Sequence, residues 1–152
     1  MTAPLRRVAS GSFPLYRFLV LGVLISGLLQ VAYWEVPASV SNTSPHAFDY
    51  VYAVMQPVGA VVILLGLYTR RAMLSLQLER IGGTALATAG GMYAAAVTIN
   101  NGGPPLTAAT WTVFAMTVYL VYRIAIEIPQ EINALECEAR RRLNEDGGAD
   151  VQ

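Results

Sequence analysis

The chain has no lysine, one cysteine, one histidine and few charges of either sign. Charged residues fill only 13% of its 152 positions, while hydrophobic residues fill 55%. A soluble domain usually carries roughly a quarter charged residues. Cys137 has no second cysteine to pair with, which excludes an internal disulfide and a cysteine-based zinc site. His46 stands alone, so a histidine-carboxylate cluster is excluded as well. Arginines balance acids at zero net charge, so bulk charge offers nothing to nucleic acid. The sequence holds no nucleophile with an adjacent base and no glycine-rich phosphate loop. The expectation is a non-enzymatic chain without cofactor or metal.

Two further absences set the topology. No arginine occurs between Phe18 and Thr69, and none between Ile81 and Tyr122. All ten basic residues fall in three segments: Arg6, Arg7 and Arg17; Arg70, Arg71 and Arg80; Arg123 with Arg140, Arg141 and Arg142. Apolar runs at 18–36, 50–68, 81–99 and 106–126 separate them. Each run is about 20 residues, which at about 1.5 Å per residue matches a hydrocarbon core of roughly 30 Å. Arginines near span ends are retained in the cytoplasm. Four crossings then place all three segments inside, with both termini cytoplasmic, as in a bacterial inner-membrane protein. Helices are required, because an unpaired backbone group in lipid costs several kcal/mol. Aromatic residues mark the boundaries, with Tyr33, Trp34, Tyr50, Tyr52 and Trp111 at the outer level and Tyr16, Tyr68, Tyr119 and Tyr122 at the inner one.

A signal peptide is an alternative for the first run, since Val36-Pro37-Ala38 offers small residues for cleavage. The run is longer than an h-region, and Arg17 stands at its start, which favours a retained span. The outer segment from Pro37 to Asp49 is rich in Ser, Asn and Pro and is expected to be a solvated loop. Asn100 to Pro105 spells a turn between antiparallel helices. Short links make successive helices neighbours. The expected fold is all-α, an up-down four-helix membrane bundle over 1–128, followed by a cytoplasmic amphipathic helix and a disordered tail over 129–152.

Packing within lipid depends on small residues and interhelical hydrogen bonds. Gly83, Ala87, Gly91 and Ala95 recur every four residues and form a flat stripe on the third span, suited to internal packing or to another copy. Gln30 and Gln56 lie at similar depth on the first two spans and are expected to face each other, as a clasp or as a polar lining. Pro57 should kink the second span, or act as a hinge. No ionisable residue falls at the centre of any run. Glu35 and Asp49 border the outer level, and Arg123 and Glu127 lie one turn apart at the inner end, where they can pair or reach headgroups.

From Pro129 the pattern changes. A proline in a first turn, an apolar stripe through Ile128, Ile132, Leu135, Ala139 and Leu143, and Glu136–Arg140 and Glu138–Arg142 at four-residue spacing predict a short amphipathic helix. Asp146-Gly147-Gly148 is expected to end it, and the segment from Asn144 onward to be disordered.

Gln56-Pro57-Val58-Gly59, Gly66 to Arg71, Glu79-Arg80-Ile81-Gly82, Tyr93 and the exclusive use of arginine carry a resemblance. In these the chain resembles the small four-span membrane proteins of actinobacterial phages, some of them holin-like. Residues 59–71 are also similar to the second span of the four-helix DoxX-type family, whose lysine-bearing first span is missing here. The first resemblance implies self-association and membrane permeabilisation. The residues themselves point to an accessory or interaction subunit of a membrane assembly, with a small-solute transporter as a further reading. Expected partners are the bilayer and either another copy or another membrane protein. Reporter fusions test the topology: a fusion after Arg71 should report a cytoplasmic position and one at Ser44 an external position, and an external Arg71 would overturn the four-span reading.

Overall fold

The computed structural model describes residues 14–33, 37–41, 46–103 and 107–149. These residues form helices α1 (Pro14–Tyr33), α2 (Ala38–Ser41), α3 (His46–Tyr68), α4 (Ala72–Asn101), α5 (Ala108–Tyr122) and α6 (Ile128–Ala149), with a π-turn at Arg123–Glu127 joining the last two. No strand occurs among the described residues. Among the described residues three helical segments are long and apolar enough to cross a membrane: Pro14–Tyr33, Asp49–Tyr68 and Ala108–Arg142. Helix α4 contains the 81–99 run and spans 30 residues, but Gly, Ala and Thr dilute its apolar character. Those small residues suit it to the middle of the bundle, where it packs against α3 and α5 along its length.

The long helices run up and down. α1 packs on α3, α3 on α4, and α4 on α5. The antiparallel pairing of α3 and α4 is visible in their contacts, with Gly66 against Ser75 and Glu79, and Gly59 against Gly82. The Gly59–Gly82 crossing is a backbone-to-backbone approach. A Cβ placed on Gly82 would lie 2.6 Å from the Gly59 carbonyl oxygen and 2.8 Å from the Ile63 backbone nitrogen. Such close approach maximises dispersion contact. A second approach joins α1 to α3, where a Cβ on Gly27 would stand 2.6 Å from Cδ of Pro57. Pro57 is buried and α3 continues through it, so the ring also serves as the surface on which α1 rests.

Two apolar clusters fill the interior. One joins Tyr16, Val20, Ala60, Ile63, Leu86 and Leu120 toward the end that carries Arg70 and Arg71, here termed the arginine end. The other joins Val40, Tyr52, Ala89 and Ala96 toward the far end. Val40 belongs to α2, so part of the expected solvated loop instead folds back onto the bundle. An apolar side chain three residues on from Pro37 gains more from burial than from water. Asn42 to Pro45, like Trp34 and Glu35, lies outside the described residues. At the far end α4 closes on Gly102 at φ 64°, with Gly102 N–H donating to Ile99 and Gly103 N–H to Thr98. This glycine-terminated cap satisfies the last carbonyls and permits the turn.

The expected boundaries change in three places. α4 begins nine residues before the 81–99 run, so the segment after Arg71 is helix and not an open hairpin. The tail helix does not restart at Pro129: α5, the π-turn and α6 are continuous, with Arg123 and Ile128 both in helical geometry. Asp146-Gly147-Gly148 does not end it, since the helix reaches Ala149 and takes in most of the segment expected to be disordered. A helix already propagating needs no new nucleus, and each glycine costs only about 1 kcal/mol. Leu at position 82 has no space, whereas a Cβ on Gly91 meets nothing within 4 Å. Gly82→Leu should therefore abolish the folded monomer in detergent, and Gly91→Leu should retain it, as measured by size-exclusion chromatography and thermal unfolding. Equal tolerance of the two would contradict the α3–α4 crossing.

Candidate functional site

Arg123 and Glu79 are the centre of the site. Arg123 is 2% exposed and Glu79 1%, so both charges have left solvent entirely. The guanidinium donates from Nε to Glu79 Oε1 at 3.1 Å and from Nη2 to Oε2 at 3.3 Å, a side-on bidentate pair. Its third nitrogen, Nη1, donates to Glu127 Oε2 at 2.9 Å and to Glu131 Oε1 at 2.6 Å. One guanidinium thus gathers three carboxylates from α4, the π-turn and α6.

The local sequence explains how Glu131 reaches it. Ile128 N–H donates to the Arg123 carbonyl, a bond across five residues that widens the turn. Pro129 lacks an N–H and would press on the carbonyl four residues earlier in a regular helix, and the wider turn accommodates it. At about 100° per residue, a residue eight positions on would sit roughly 80° around an α-helix from Arg123. The extra residue in the π-turn reduces that offset to about 20°, the value for seven positions. Glu131 therefore shares a face with Arg123.

Tyr16 closes the site from α1. Its ring meets Tyr119 edge-on, with centroids 6.0 Å apart and planes at 65°. Its buried hydroxyl faces the charges of Glu79 and Arg123. Tyr16 was expected among the boundary aromatics, as was Tyr52, yet both are buried, while Tyr33, Tyr50, Tyr68, Trp111, Tyr119 and Tyr122 remain exposed. The inward turn of Tyr16 follows from the polar cluster beside it.

The far end carries a second polar layer. Tyr93 Oη lies 3.4 Å from Thr110 Oγ1, which lies 2.7 Å from Thr107 Oγ1. Gln56 shares a side-chain hydrogen bond with Tyr52 one turn earlier on its own helix. Gln30 is half-buried and its amide oxygen accepts no hydrogen bond, so the expected Gln30–Gln56 clasp is not made through that oxygen. Between the two layers stand Ala60, Ile63, Leu86 and Val20, all buried.

The stripe residues separate into two groups. Gly83 is buried against Leu120 and Ile124, and Ala87 packs at the edge of the apolar cluster. Gly91 has open space beyond it and Ala95 is exposed. The tightest approaches instead involve Gly82 and Gly90, the latter against Thr117. A regular helix turns 400° in four residues, so a spacing of four drifts off one face about 40° per step.

Glu79 is the residue that sequence reasoning missed. It lies two residues before the third apolar run and so counted as part of a loop. The signal available was its isolation, as the only acid between Asp49 and Glu127. The Arg123–Glu127 pairing agrees with the expected one-turn spacing.

Removing one partner of a buried pair strands the other charge, at a cost of roughly 3–5 kcal/mol. Glu79→Gln and Arg123→Leu should each lower thermal stability in detergent sharply, and Glu79→Leu with Arg123→Leu should recover part of the loss. Glu127→Gln should matter far less, within about 1 kcal/mol, because the Glu127 side chain is 36% exposed. Equal effects of Glu79→Gln and Glu127→Gln would contradict the assigned hierarchy. Comparison of the chain with protein-family models, with curated proteins and with solved structures gives no match.

Proposed function

We propose that this chain is a multi-pass protein of the bacterial cytoplasmic membrane, crossing four times with both ends inside, and that it serves as a non-enzymatic subunit presenting α6 to another component of a membrane assembly. The distribution of arginines supports the topology, with Arg70, Arg71, Arg80 and Arg140 to Arg142 at one end of the bundle. Large exposed apolar side chains support the lipid contact, among them Phe18, Ile25 and Leu29 on α1, Val54, Val58 and Leu65 on α3 and Val118 on α5.

The observation that carries the functional reading is the junction between α5 and α6. The π-turn continues the helix, and Arg123 ties Glu131 of α6 to Glu79 of α4. A tail joined by a flexible linker would swing. This one leaves the bundle in a fixed direction, bearing Ile132 and Leu135 half-buried and Ala139 exposed on its apolar stripe. Fixing a docking helix in advance reduces the ordering cost of binding. The apolar layer between the two polar layers works against a solute path and hence against the transporter reading.

A second reading, holin-like permeabilisation, draws on the open α4 surface at Gly91 and Ala95, which has room for another copy. One strain tests both. Purified in mild detergent, the full chain should bring down a different protein at fixed stoichiometry, and Leu135→Asp with Ala139→Asp should lose that protein while the chain stays in the membrane. Recovery of the chain alone would overturn the subunit reading. Abrupt collapse of membrane potential after a delay, on induced expression, would replace it with the holin-like one.

A further inference from the structure

Helix α4 exposes large apolar side chains near its ends, at Met73, Leu74 and Ile99. Between them one face exposes Gln77, Ile81, Thr84 and Thr88 in steps of four, three and four, with Arg80 beside Ile81. Gln77, Arg80, Ile81 and Thr84 line a shallow, open groove of about 500 Å³.

Arg80 follows Glu79 directly. Adjacent helical residues share a depth but point about 100° apart, so the acid enters the bundle to meet Arg123 while the base leaves it at the same level. Arg80 is exposed and makes no ion pair among the described residues, and neither do Arg70 and Arg71 at the nearby turn. Farther along the groove the face turns apolar despite its threonines. Thr84 Oγ1 donates to the Arg80 carbonyl at 2.8 Å and Thr88 Oγ1 to the Thr84 carbonyl at 2.9 Å, so both hydroxyls are satisfied within the helix. Beyond them Gly91 adds no side chain.

From this arrangement we infer that the α4 groove is a binding site for an anionic phospholipid of the cytoplasmic leaflet. The Arg80 guanidinium holds the phosphodiester, and Gln77 supplies a further amide donor. One acyl chain runs along Ile81, Thr84, Thr88 and Gly91. The charge matches: unpaired arginines stand at the boundary where a bilayer presents anionic headgroups, and a basic pocket on the cytoplasmic side of membrane helices takes such lipids. The planar guanidinium also suits a phosphate geometrically. The inference rests on the membrane topology proposed above.

The test uses the full chain, extracted in mild detergent. Its retained phosphatidylglycerol is quantified by lipid mass spectrometry, and its unfolding temperature is measured with added phosphatidylglycerol, phosphatidylcholine or glycerol 3-phosphate. Wild type should retain phosphatidylglycerol and be stabilised by it alone. Arg80→Gln should retain about fivefold less, the share of one arginine near an anionic surface, and lose the stabilisation. Arg140→Gln, on α6, should behave as wild type. Retention unchanged by Arg80→Gln would overturn the site, as would equal stabilisation by glycerol 3-phosphate, which would mark it as a general phosphate site. A disulfide dimer of Gly91→Cys, made with Cys137→Ser, would overturn it in favour of a second copy. Release of the chain from membranes by alkaline carbonate would remove the topology itself. An unaffected Arg80→Gln chain that stays in the membrane removes only the lipid site.

Discussion

The bidentate contact between Arg123 and Glu79 organises the arginine end of the molecule. Both groups are removed from solvent, so neither can tolerate separation, and the register of α5 against α4 is set by the need to keep them together. A buried pair of this kind is weak evidence for added stability, since apolar residues of equal volume often do as well. Its effect is on choice. A slip of one turn along α4 would part the two charges and set Arg123 against Ser75 or Gly83.

From that contact the remainder of the arginine end follows. Arg123 has a third nitrogen to satisfy, and Glu127 and Glu131 supply it. Glu131 can do so because the π-turn shifts the helical face by one residue, and the turn is accommodated where Pro129 already forbids a regular bond. Tyr16 then covers the cluster from α1 and touches Tyr119, bringing α1 and α5 together although α1 otherwise packs on α3. The middle of the bundle has no comparable polar demand. There, close backbone approach at Gly59–Gly82 and the seat of Gly27 on Pro57 do the work of association.

Much of the fold was legible because helix length and helix ends follow simple rules. Runs of about 20 apolar residues predict long helices, and Gly-Gly before Pro-Pro predicts a helix end. Glu79 was harder to read because hydropathy is a local average. A single acid beside Arg80 at the end of an apolar run resembles an ordinary interfacial pair, and only the partner on a helix 44 residues away changes its meaning. For Gln30 and Gln56 the difficulty is the converse. Equal depth says nothing about rotation around two helices: Gln56 lies against α1 at Gly27, while its side-chain hydrogen bond goes to Tyr52.

The sequence alone determined that this chain is helical and that it is apolar on a scale suited to a membrane, because these depend on composition and on spacing within single segments. Tertiary structure decided which of those residues matter together. It selected Gly82 over Gly91 for the tight crossing, carried α5 into α6 without a break, and turned Glu79 inward while its neighbour Arg80 turned out. Each of these depends on the rotation of one helix against another, a quantity fixed only when several side chains must be satisfied at once.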